Sequence, residues 1–578
     1  VYEYGQYSIR GPSELTASGE GAGSGLDREY AFRWSNGIFE PITLFIPQFY
    51  GGASIQSVGA DSNLGQALRD QGFPSAQVKE QTDQARTYWG QQPFTGGPYY
   101  AGAIICFLFV LGILFAEKKL VYWLVAGVVL SILLSWGKNF ESFNYFMFEY
   151  FPGYNKFRAV SMAIIVALVC LPLLGFLGLE NLFREGLTKK SQRKLLIAAA
   201  IPGGFGLLVV LFAGIGDFMG ASDQAGQLPE WYLAAIKADR ESLMRTDAIR
   251  SLFFLIAFVA VLILYFKNKL SAYLALPILT ALILVDVFAV SKRYLNEDDF
   301  ERNPIRSNFQ PTEADAFILK DPSPNYRVLT LLASPWSDAN TSYYHKSLGG
   351  YHGAKMRRYN DLIEHCITPE FSSLIQSLRE GNTDLGGFGI INMLNTKYLI
   401  AGTSQNAVLK NDHAKGNAWF ASGVREVQSP DEEIAATCEI ATESIAVIDA
   451  SKFSYPKQSI GPQGNIELVE YSPNYLKYSS SNQQQGLALF SEMYYPKGWE
   501  ATIDGQPADI LRANYIFRAL DVPAGDHTIE FSFKPASYFI GNRVMMVASI
   551  LTLLLLVLVV SISMRKILSP VPTNEHAA

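Results

Sequence analysis

Three basic residues lie among aromatic residues in a stretch that is too polar to cross a lipid bilayer. Residues 136–158, which we call the crown, contain Lys138, Lys156 and Arg158 together with nine Phe and Tyr residues. Apolar segments flank the crown, so it should lie at the level of the lipid headgroups. Cations that aromatic rings hold at this level are suited to binding a lipid phosphate. The alternative is that Lys156 and Arg158 only anchor the ends of the neighbouring membrane spans.

A second group of basic side chains lies in SYYHKSLGGYHGAKMRRYN, residues 342–360. Its candidate site residues are His345, His352, Lys355, Arg357 and Arg358. A metal site is not expected, because Gly349 and Gly350 interrupt any helix that would bring the two histidines to one face. Together with four tyrosines, these side chains fit an anion or sugar site. A charged helix start that packs on the bilayer fits them equally well.

The composition divides the chain between lipid and water. Of its 578 residues, 49% are hydrophobic and 17% are charged, and the mean hydropathy is +0.12. These values are too apolar for an ordinary soluble protein and too charged for a protein that lies wholly in a membrane. The net charge of −6 argues against a nucleic acid as a partner.

Hydropathy predicts seven membrane spans, each about long enough to cross a hydrocarbon core of roughly 30 Å. They cover residues 99–116, 120–136, 159–179, 195–215, 251–266, 270–290 and 544–564. Pro202 should kink the fourth span. Residues 216–250 should form a loop with a short surface helix over residues 228–244. Asp286 lies about one turn inside the sixth span, where a carboxylate usually faces protein or a wet cavity.

The basic residues of the short connections fall on one side of the membrane if every span is real. They are Lys118, Lys119, Arg184, Lys189, Lys190, Arg193, Lys194, Lys267, Lys269, Arg565 and Lys566. Positive charge in short loops marks the cytoplasmic side, and residues 565–578 then form a cytoplasmic tail. The crown and residues 1–98, 216–250 and 291–543 should accordingly lie outside the cytoplasm.

Residues 1–98 are polar and contain no predicted span or secretion signal. Nothing in the sequence would carry them across a membrane, so we expect the chain to be the C-terminal part of a longer protein. Residues 32–54 are more apolar than their neighbours and should lie along the membrane surface.

Residues 291–543 are long enough for one large or two small extramembrane domains. Predicted strands at 325–332 and 395–402 and helices at 354–377 indicate a mixed α/β subdomain over residues 291–403. Alternating apolar and polar residues over 404–541 predict a β-sandwich with hairpin turns at 504–505 and 523–525. The predicted fold is therefore a polytopic α-helical membrane protein with a C-terminal α/β plus β-sandwich domain.

The sequence does not decide the roles of two further features of this C-terminal part. Trp499 could stack on a sugar ring, although packing in a core or at its rim is the more frequent role of such a residue. Cys366 and Cys438 could pair, and their spacing is not that of a zinc site.

Several motifs occur in a characteristic order and spacing along essentially the whole chain. They are TYWGQQPFTGGPYYAGAI, SWGKNF, FPGYNKFRAVSM, SYYHKSLGGYHGAKMRRY, INMLNTKYLI, GNAWF, FSEMYYPKGWEATIDG and VPAGDHTIEFSFKP. This pattern resembles the YfhO family of bacterial membrane proteins, most closely its Bacteroidetes-type branch. The family in turn resembles GT-C glycosyltransferases, multi-span enzymes that transfer a sugar from a polyprenyl-phosphate carrier outside the membrane.

The resemblance implies a location, partners and site residues. The location is the bacterial inner membrane, with the large C-terminal domain on the periplasmic side. The partners are the lipid bilayer, a polyprenyl-phosphate sugar and a glycan or lipid-linked acceptor. Lys156 and Arg158, supported by Lys138, are assigned to the carrier phosphate.

The resemblance assigns no catalytic base, because the GT-C catalytic carboxylate lies in a first outside loop that this sequence does not contain. Glu40 is the one acid/base or metal candidate, since FEPITLFIPQFYGG resembles a family motif beside the membrane. No cofactor is assigned, and a divalent metal is left open.

A hypothesis from a different functional class is also consistent with the sequence. The chain would then be a non-catalytic, membrane-anchored subunit that binds glycan or takes part in assembly. Some enzyme classes are not indicated, because the sequence has no glycine loop with a lysine for phosphate, no Gly-x-Ser-x-Gly and no His-Glu-x-x-His.

Overall fold

The computed structural model describes residues 2–16, 25–93, 96–220, 223, 228–440, 444–455 and 464–568. The chain forms two compact units. The helical unit is Gly25–Pro304, and the sheet unit combines Val1–Ser24 with Ile305–Ala578. Residues 1–98, which the sequence analysis treats as one region, are therefore divided between the two units.

Six apolar helices form the frame of the helical unit, and a seventh belongs to the sheet unit. They are α1 (Ala103–Phe115), α2 (Lys118–Ser135), α3 (Ile165–Glu185), α4 (Lys189–Phe212), α5 (Glu230–Phe266), α6 (Ala272–Ser291) and α7 (Ala536–Leu568). All except α1 are long and apolar enough to cross a membrane. At 13 residues, α1 is shorter than the roughly 17 residues that a span requires. The structure thus supports six of the seven predicted spans by length.

Helix α1 lies in the core of the helical unit, where small residues let α3 approach it closely. A Cβ atom at Gly178 of α3 would lie 2.4 Å from the Cα of Gly112 in α1. Such contacts between small residues are a common way for membrane helices to pack. Phe107 of α1 is fully buried and meets Phe258 of α5, with 6.0 Å between ring centroids.

Helix α5 corrects the prediction for residues 216–266. The predicted surface helix and the short fifth span are one continuous helix of 37 residues. Three of its charged residues have partners inside the protein. Arg240 is fully buried and pairs with Asp223 at 2.6 Å. Asp247 pairs with Arg293 at 2.7 Å, and Asp239 accepts hydrogen bonds from the first turn of a neighbouring helix. A helix with such partners need not end where its charged residues begin.

The crown is also more regular than the predicted loop, because most of it is helical. The short helices of the helical unit are Arg28–Phe32, Glu40–Leu44, Asn63–Asp70, Ser75–Asp83, Gly137–Phe140, Glu141–Tyr150, Tyr154–Lys156, Val160–Ile164, Ala213–Ile215 and Glu297–Asp299. Three of these, from Gly137 to Lys156, belong to the crown.

The first part of the sheet unit mixes helices with short strands. In its main sheet, β1 (Arg327–Thr330) runs parallel to β2 (Thr396–Ile400), which pairs antiparallel with β3 (Val408–Lys410). The predicted strands at 325–332 and 395–402 are thereby confirmed. The helices of the sheet unit other than α7 are Tyr2–Gly5, Pro304–Asn308, Glu313–Ile318, Asn340–Tyr344, Arg357–Leu362, Ile363–Ile367, Thr368–Arg379, Gly389–Met393, Gln405–Ala407 and Pro430–Ile440.

Two larger sheets enclose a common apolar core in the second part. The remaining strands are β4 (Ala418–Phe420), β5 (Gly423–Val427), β6 (Ile445–Asp449), β7 (Gly464–Ser472), β8 (Tyr475–Asn482), β9 (Gly486–Met493), β10 (Trp499–Ile503), β11 (Gln506–Ala508), β12 (Leu511–Ala513), β13 (Phe517–Val522) and β14 (Gly525–Phe533). The sheet orders are β11-β10-β14-β8-β7 and β12-β13-β9-β4, while β5 and β6 form a separate parallel pair. Tyr478, Phe490 and Phe531 meet in the core between the two large sheets.

One of the two predicted hairpins is confirmed and the other is wrong. Asp504 and Gly505, with φ of 49° and 78°, connect the paired strands β10 and β11. The turn at residues 523–525 instead joins β13 to β14, which lie in different sheets. A disulfide links Cys366 to Cys438 across 72 residues, which settles the pairing that the sequence left open.

Candidate functional sites

Glu40 begins a short helix, Glu40–Leu44, and its side chain points into the protein. The residue is only 4% exposed. The Tyr88 hydroxyl donates to Glu40 Oε1 at 2.5 Å, and the backbone N–H of Gln91 donates to the same oxygen at 3.0 Å. Burial raises the pKa of the Glu40 carboxyl, and the hydrogen bonds from Tyr88 and Gln91 partly oppose that rise.

Tyr88 and Gly90 pack tightly against this carboxyl. Burial and the neighbouring Glu40 raise the pKa of Tyr88, so the proton stays on the phenol and Glu40 accepts the hydrogen bond. A Cβ atom at position 90 would lie 2.2 Å from Glu40 Oε1 and 2.2 Å from the Tyr88 hydroxyl. Only glycine therefore fits at this position without moving the pair.

A small pocket opens beside Glu40. Its lining consists of Glu40, Thr43, Pro47, Tyr50, Gly52, Tyr88, Gly97, Pro98 and Tyr99. Its volume is about 10 Å³, which is room for about one water molecule. Burial, and then the charge of Glu40, raise the pKa of Tyr50 to about 12, so this hydroxyl also keeps its proton. The arrangement is suited to accepting a proton from one hydroxyl group that enters the pocket.

The crown packs on the segment that leads to Glu40. Trp136 donates its indole N–H to the carbonyl oxygen of Ile38 at 3.0 Å. The Ser35 hydroxyl oxygen accepts the backbone N–H of Lys138 at 3.0 Å. The structure thus brings the crown together with the segment that carries Glu40, although the two lie about one hundred residues apart in sequence.

The three predicted phosphate ligands have different surroundings within the crown. Arg158 donates to the Tyr30 hydroxyl at 2.5 Å, and its guanidinium carbon lies 5.4 Å and 5.5 Å from the rings of Tyr30 and Trp34. Lys156 is half-buried at the end of its short helix, and Lys138 is exposed. The aromatic side chains in these contacts with Arg158 thus come from residues 30 and 34 and not from the crown itself.

An apolar pocket of about 330 Å³ lies at the end of α4. It is lined by Phe49, Trp89, Leu208, Val209, Phe212, Ala213, Gly216, Phe218 and Met244. The rings of Trp89 and Tyr50 are 4.4 Å apart, and Tyr50 lines the pocket of Glu40. The two pockets are therefore each lined by one member of a pair of aromatic rings in contact.

In the sheet unit, the basic group of residues 342–360 is divided among three places. His345 is buried, with Nε2 2.9 Å from Asp315 Oδ1. His352 and Lys355 line a cavity of about 380 Å³. Arg357 and Arg358 line a second cavity of about 230 Å³, and Met356 contributes to both. The structure therefore does not unite the five predicted residues in one site.

Trp499 is engaged in packing. The Arg518 guanidinium lies 3.7 Å from the centroid of the Trp499 ring, and the Phe533 ring lies 5.0 Å away. Within the described ranges, no group of three or more His, Cys, Asp or Glu side chains is arranged to hold a metal ion.

Several residues that surround the predicted ones were not predicted from the sequence. Tyr88 and Gln91 lie in a segment whose sequence was used only as a motif of the family resemblance. In the second cavity, Tyr494, Phe453 and Arg512 come from regions far along the chain. The glycine in YWGQQ was the one local signal, because a close approach often requires glycine.

Comparison with known proteins gives a match to a family model. The model of a family described as bacterial membrane protein YfhO matches residues 444–544, which run from β6 through the sandwich into α7. No curated protein and no solved structure matches the chain. The family match and the six long apolar helices show a multi-pass membrane protein with a lipid bilayer as its environment. Over residues 444–544, the match confirms the resemblance to the YfhO family that the sequence predicts.

Proposed function

We propose that this chain is part of a GT-C-like glycosyltransferase of the bacterial inner membrane. It would transfer a sugar from a polyprenyl-phosphate donor to an extracytoplasmic glycan or a lipid-linked acceptor. One observation carries the proposal: a buried glutamate with a raised pKa lines a pocket on the segment against which the basic, aromatic crown packs.

The two ends of the donor have matching surroundings in the helical unit. Lys138, Lys156 and Arg158 supply positive charge for the phosphate, which gains negative charge as the bond to the sugar breaks. The apolar pocket at the end of α4 offers space for part of the isoprenoid chain. Trp89, which lines that pocket, is in ring contact with Tyr50, which lines the pocket of Glu40.

Glu40 would act as the general base of the transfer. The acceptor oxygen attacks the anomeric carbon, the bond from that carbon to the phosphate oxygen breaks, and polyprenyl phosphate leaves with the electron pair. The proton of the acceptor hydroxyl passes to Glu40. A raised pKa makes the ionised carboxylate a stronger base, which suits proton removal near neutral pH.

Two observations support a periplasmic sheet unit. The basic residues of the short connections mark the opposite side of the membrane as cytoplasmic. The disulfide between Cys366 and Cys438 is of a kind that persists in oxidising compartments such as the periplasm.

The test uses the full-length protein in membranes with a radiolabelled polyprenyl-phosphate hexose. The variant K138A/K156A/R158A should lose turnover, measured as release of polyprenyl phosphate, by at least about tenfold. A matched control, K118A/K119A/K189A, removes three cations from the predicted cytoplasmic side and should retain turnover. Equal turnover in the two triple variants would exclude the crown from the mechanism.

A non-catalytic glycan-binding or assembly role is the second candidate. It is favoured by the two cavities of the sheet unit, which are far larger than the pocket of Glu40. Glycan binding by a full-length protein that releases no polyprenyl phosphate from any donor would support this role over the first.

A further inference from the structure

The sheet unit contains a cavity of about 230 Å³ whose walls come from three distant parts of the chain. Tyr7 and Glu14 belong to the N-terminal segment, Arg357 begins the helix Arg357–Leu362, and Phe453 and Tyr494 come from the second half of the unit. We call it the Tyr494 pocket. It is smaller than the pockets of roughly 300 Å³ or more that hold drug-sized ligands, so one small ring is a suitable occupant.

The charged side chains around the Tyr494 pocket already have partners within the protein. Glu14 Oε2 accepts hydrogen bonds from Arg358 and from Lys452, the latter at 2.6 Å. Arg512 is held by Glu433, with 2.6 Å between Nη2 and Oε2. An anionic ligand would have to displace Glu14 from two cations, so the pocket offers little to attract an ion.

The carboxylate of Asp361 also has a partner within the protein. Asp361 lines the pocket and accepts a hydrogen bond from the Tyr515 hydroxyl at 2.7 Å. The walls therefore present both donors and acceptors at close spacing, and the charged side chains among them already have partners within the protein. A ligand with many hydroxyl groups can use both kinds, since each hydroxyl both donates and accepts.

Arg357 adds a donor that lacks an acceptor. Its Nη2 donates to the backbone oxygens of Ile9 and Gly11. Its Nε is buried and has no hydrogen-bond partner in the described part of the chain. A buried donor without an acceptor costs free energy, and a ligand oxygen would recover that cost once a shift of the side chain exposed Nε to the pocket.

Two aromatic rings supply the apolar part of the pocket. The rings of Phe453 and Tyr494 stand nearly perpendicular, at 86°, with 5.7 Å between centroids. Both side chains are only partly buried, so ring surface remains accessible. Ring faces pack against the C–H groups of a sugar, while the polar walls contact its hydroxyls.

We propose that the Tyr494 pocket binds one uncharged sugar ring of a glycan chain. The inference rests on the sheet unit alone and holds whether or not the helical unit transfers a sugar. In a transferase, the pocket would hold the acceptor glycan; in a non-catalytic protein, it would be the principal binding site.

The test uses the full chain in lipid nanodiscs, which contain no sugar detergent. Saturation-transfer NMR would measure binding of three uncharged probes, maltotriose, cellotriose and fully N-acetylated chitotriose, and of one charged probe, trigalacturonate. At least one uncharged probe should bind. The variants Tyr494→Ala and Phe453→Leu should each weaken that binding by at least about fivefold, and Phe453→Leu retains an apolar side chain for folding.

The control variant is Tyr351→Ala, which removes an exposed ring from the neighbouring cavity and should leave the affinity unchanged. Retained melting temperature and continued protection of Cys366 and Cys438 from alkylation would show that the variants fold. Loss of binding in Tyr351→Ala alone would assign the sugar to the other cavity and overturn the proposal. Binding of trigalacturonate only, or of none of the four probes, would also overturn it.

Discussion

Two glutamates, Glu40 buried in the helical unit and Glu370 half-buried in the sheet unit, have raised pKa values for the same physical reason and differ in what their oxygens contact. Burial raises the pKa of Glu370 to about 7. Its Oε2 accepts the backbone N–H of Ile390 at 3.0 Å, and its Oε1 accepts that of Ile391 at 2.8 Å. Both oxygens are thus used to cap the helix Gly389–Met393. For Glu40, the hydrogen bonds from Tyr88 and Gln91 both end on Oε1, and the carboxyl lines a pocket.

The difference shows that a raised pKa alone does not identify a functional carboxyl. Perturbed groups cluster at active sites, but buried structural groups are perturbed by the same desolvation. The distinguishing feature is what remains within reach of the carboxyl after its structural hydrogen bonds are made. By this criterion, Glu40 is a candidate base and Glu370 is a helix cap.

The largest expected effect separates the two glutamates by activity. Glu40→Gln keeps the size and the acceptor for Tyr88 but cannot take a proton, so kcat should fall by about 10²- to 10⁴-fold. Glu370→Gln is the matched control, because it places a neutral amide at a half-buried carboxyl position in the sheet unit, and it should retain activity. Release of polyprenyl phosphate from a labelled donor measures both.

The pH dependence gives a second readout of the same comparison. A base must be ionised, so activity should fall as pH falls through the pKa of Glu40, which lies above its ordinary value of 4.5. Equal activity of the two glutamine variants, or an acidic limb at or below pH 4.5, would contradict the role of Glu40.

The next largest expected effect concerns stability, and it compares the two units instead of the two glutamates. The disulfide from Cys366 to Cys438 closes a 72-residue loop, for which chain entropy predicts a stabilisation of about 4 kcal/mol. Cys106 and Cys170 of the helical unit are unpaired. Dithiothreitol should therefore increase proteolysis within the sheet unit and leave the helical unit unchanged. The variant C366S/C438S should show the proteolysis pattern of the reduced protein without any reductant. As a control, dithiothreitol should not change the proteolysis of this variant.

The sequence predicts structure well where neighbouring residues decide it. Asp504 and Gly505 favour positive φ, so the turn from β10 to β11 follows from two residues. Residues 523–525 carry similar turn chemistry, yet the partners of β13 and β14 are β9 and β8, in different sheets. Local turn chemistry cannot indicate which distant strand each strand will join.

The same limit applies to the helices and to the candidate site. Arg240 looked solvent-exposed in the sequence because Asp223 and the carbonyl of Thr87, its partners, lie outside its own helix. Glu40 was identified by a motif, whereas Tyr88 was missed because a contact between residues 48 positions apart leaves no local pattern.

A smaller effect tests how tightly the Glu40 pair is packed. Gly90→Ala places a methyl group 2.2 Å from Glu40 Oε1 and should cost about 2 kcal/mol of stability while reducing activity. Gly204 lies in α4 with nothing within 4 Å of an added Cβ, so Gly204→Ala is the matched control. Helix propensity predicts that this control is neutral or slightly stabilising. Thermal unfolding of both variants in nanodiscs measures the difference, and equal melting temperatures would mean that the pair relaxes freely.

The smallest effect examines Glu370 as a structural group. Because folding raises its pKa from 4.5 to about 7, the stability that this carboxyl contributes is fully present below pH 4.5 and is lost as pH rises through about 7. Between pH 6 and pH 7, the sheet unit should therefore lose about 1 kcal/mol relative to Glu370→Gln, whose amide stays neutral throughout. Thermal unfolding of the two proteins across this range measures that difference. Parallel curves would show that Glu370 titrates as it does in the unfolded chain, and the contrast with Glu40 would then rest on hydrogen-bond geometry alone.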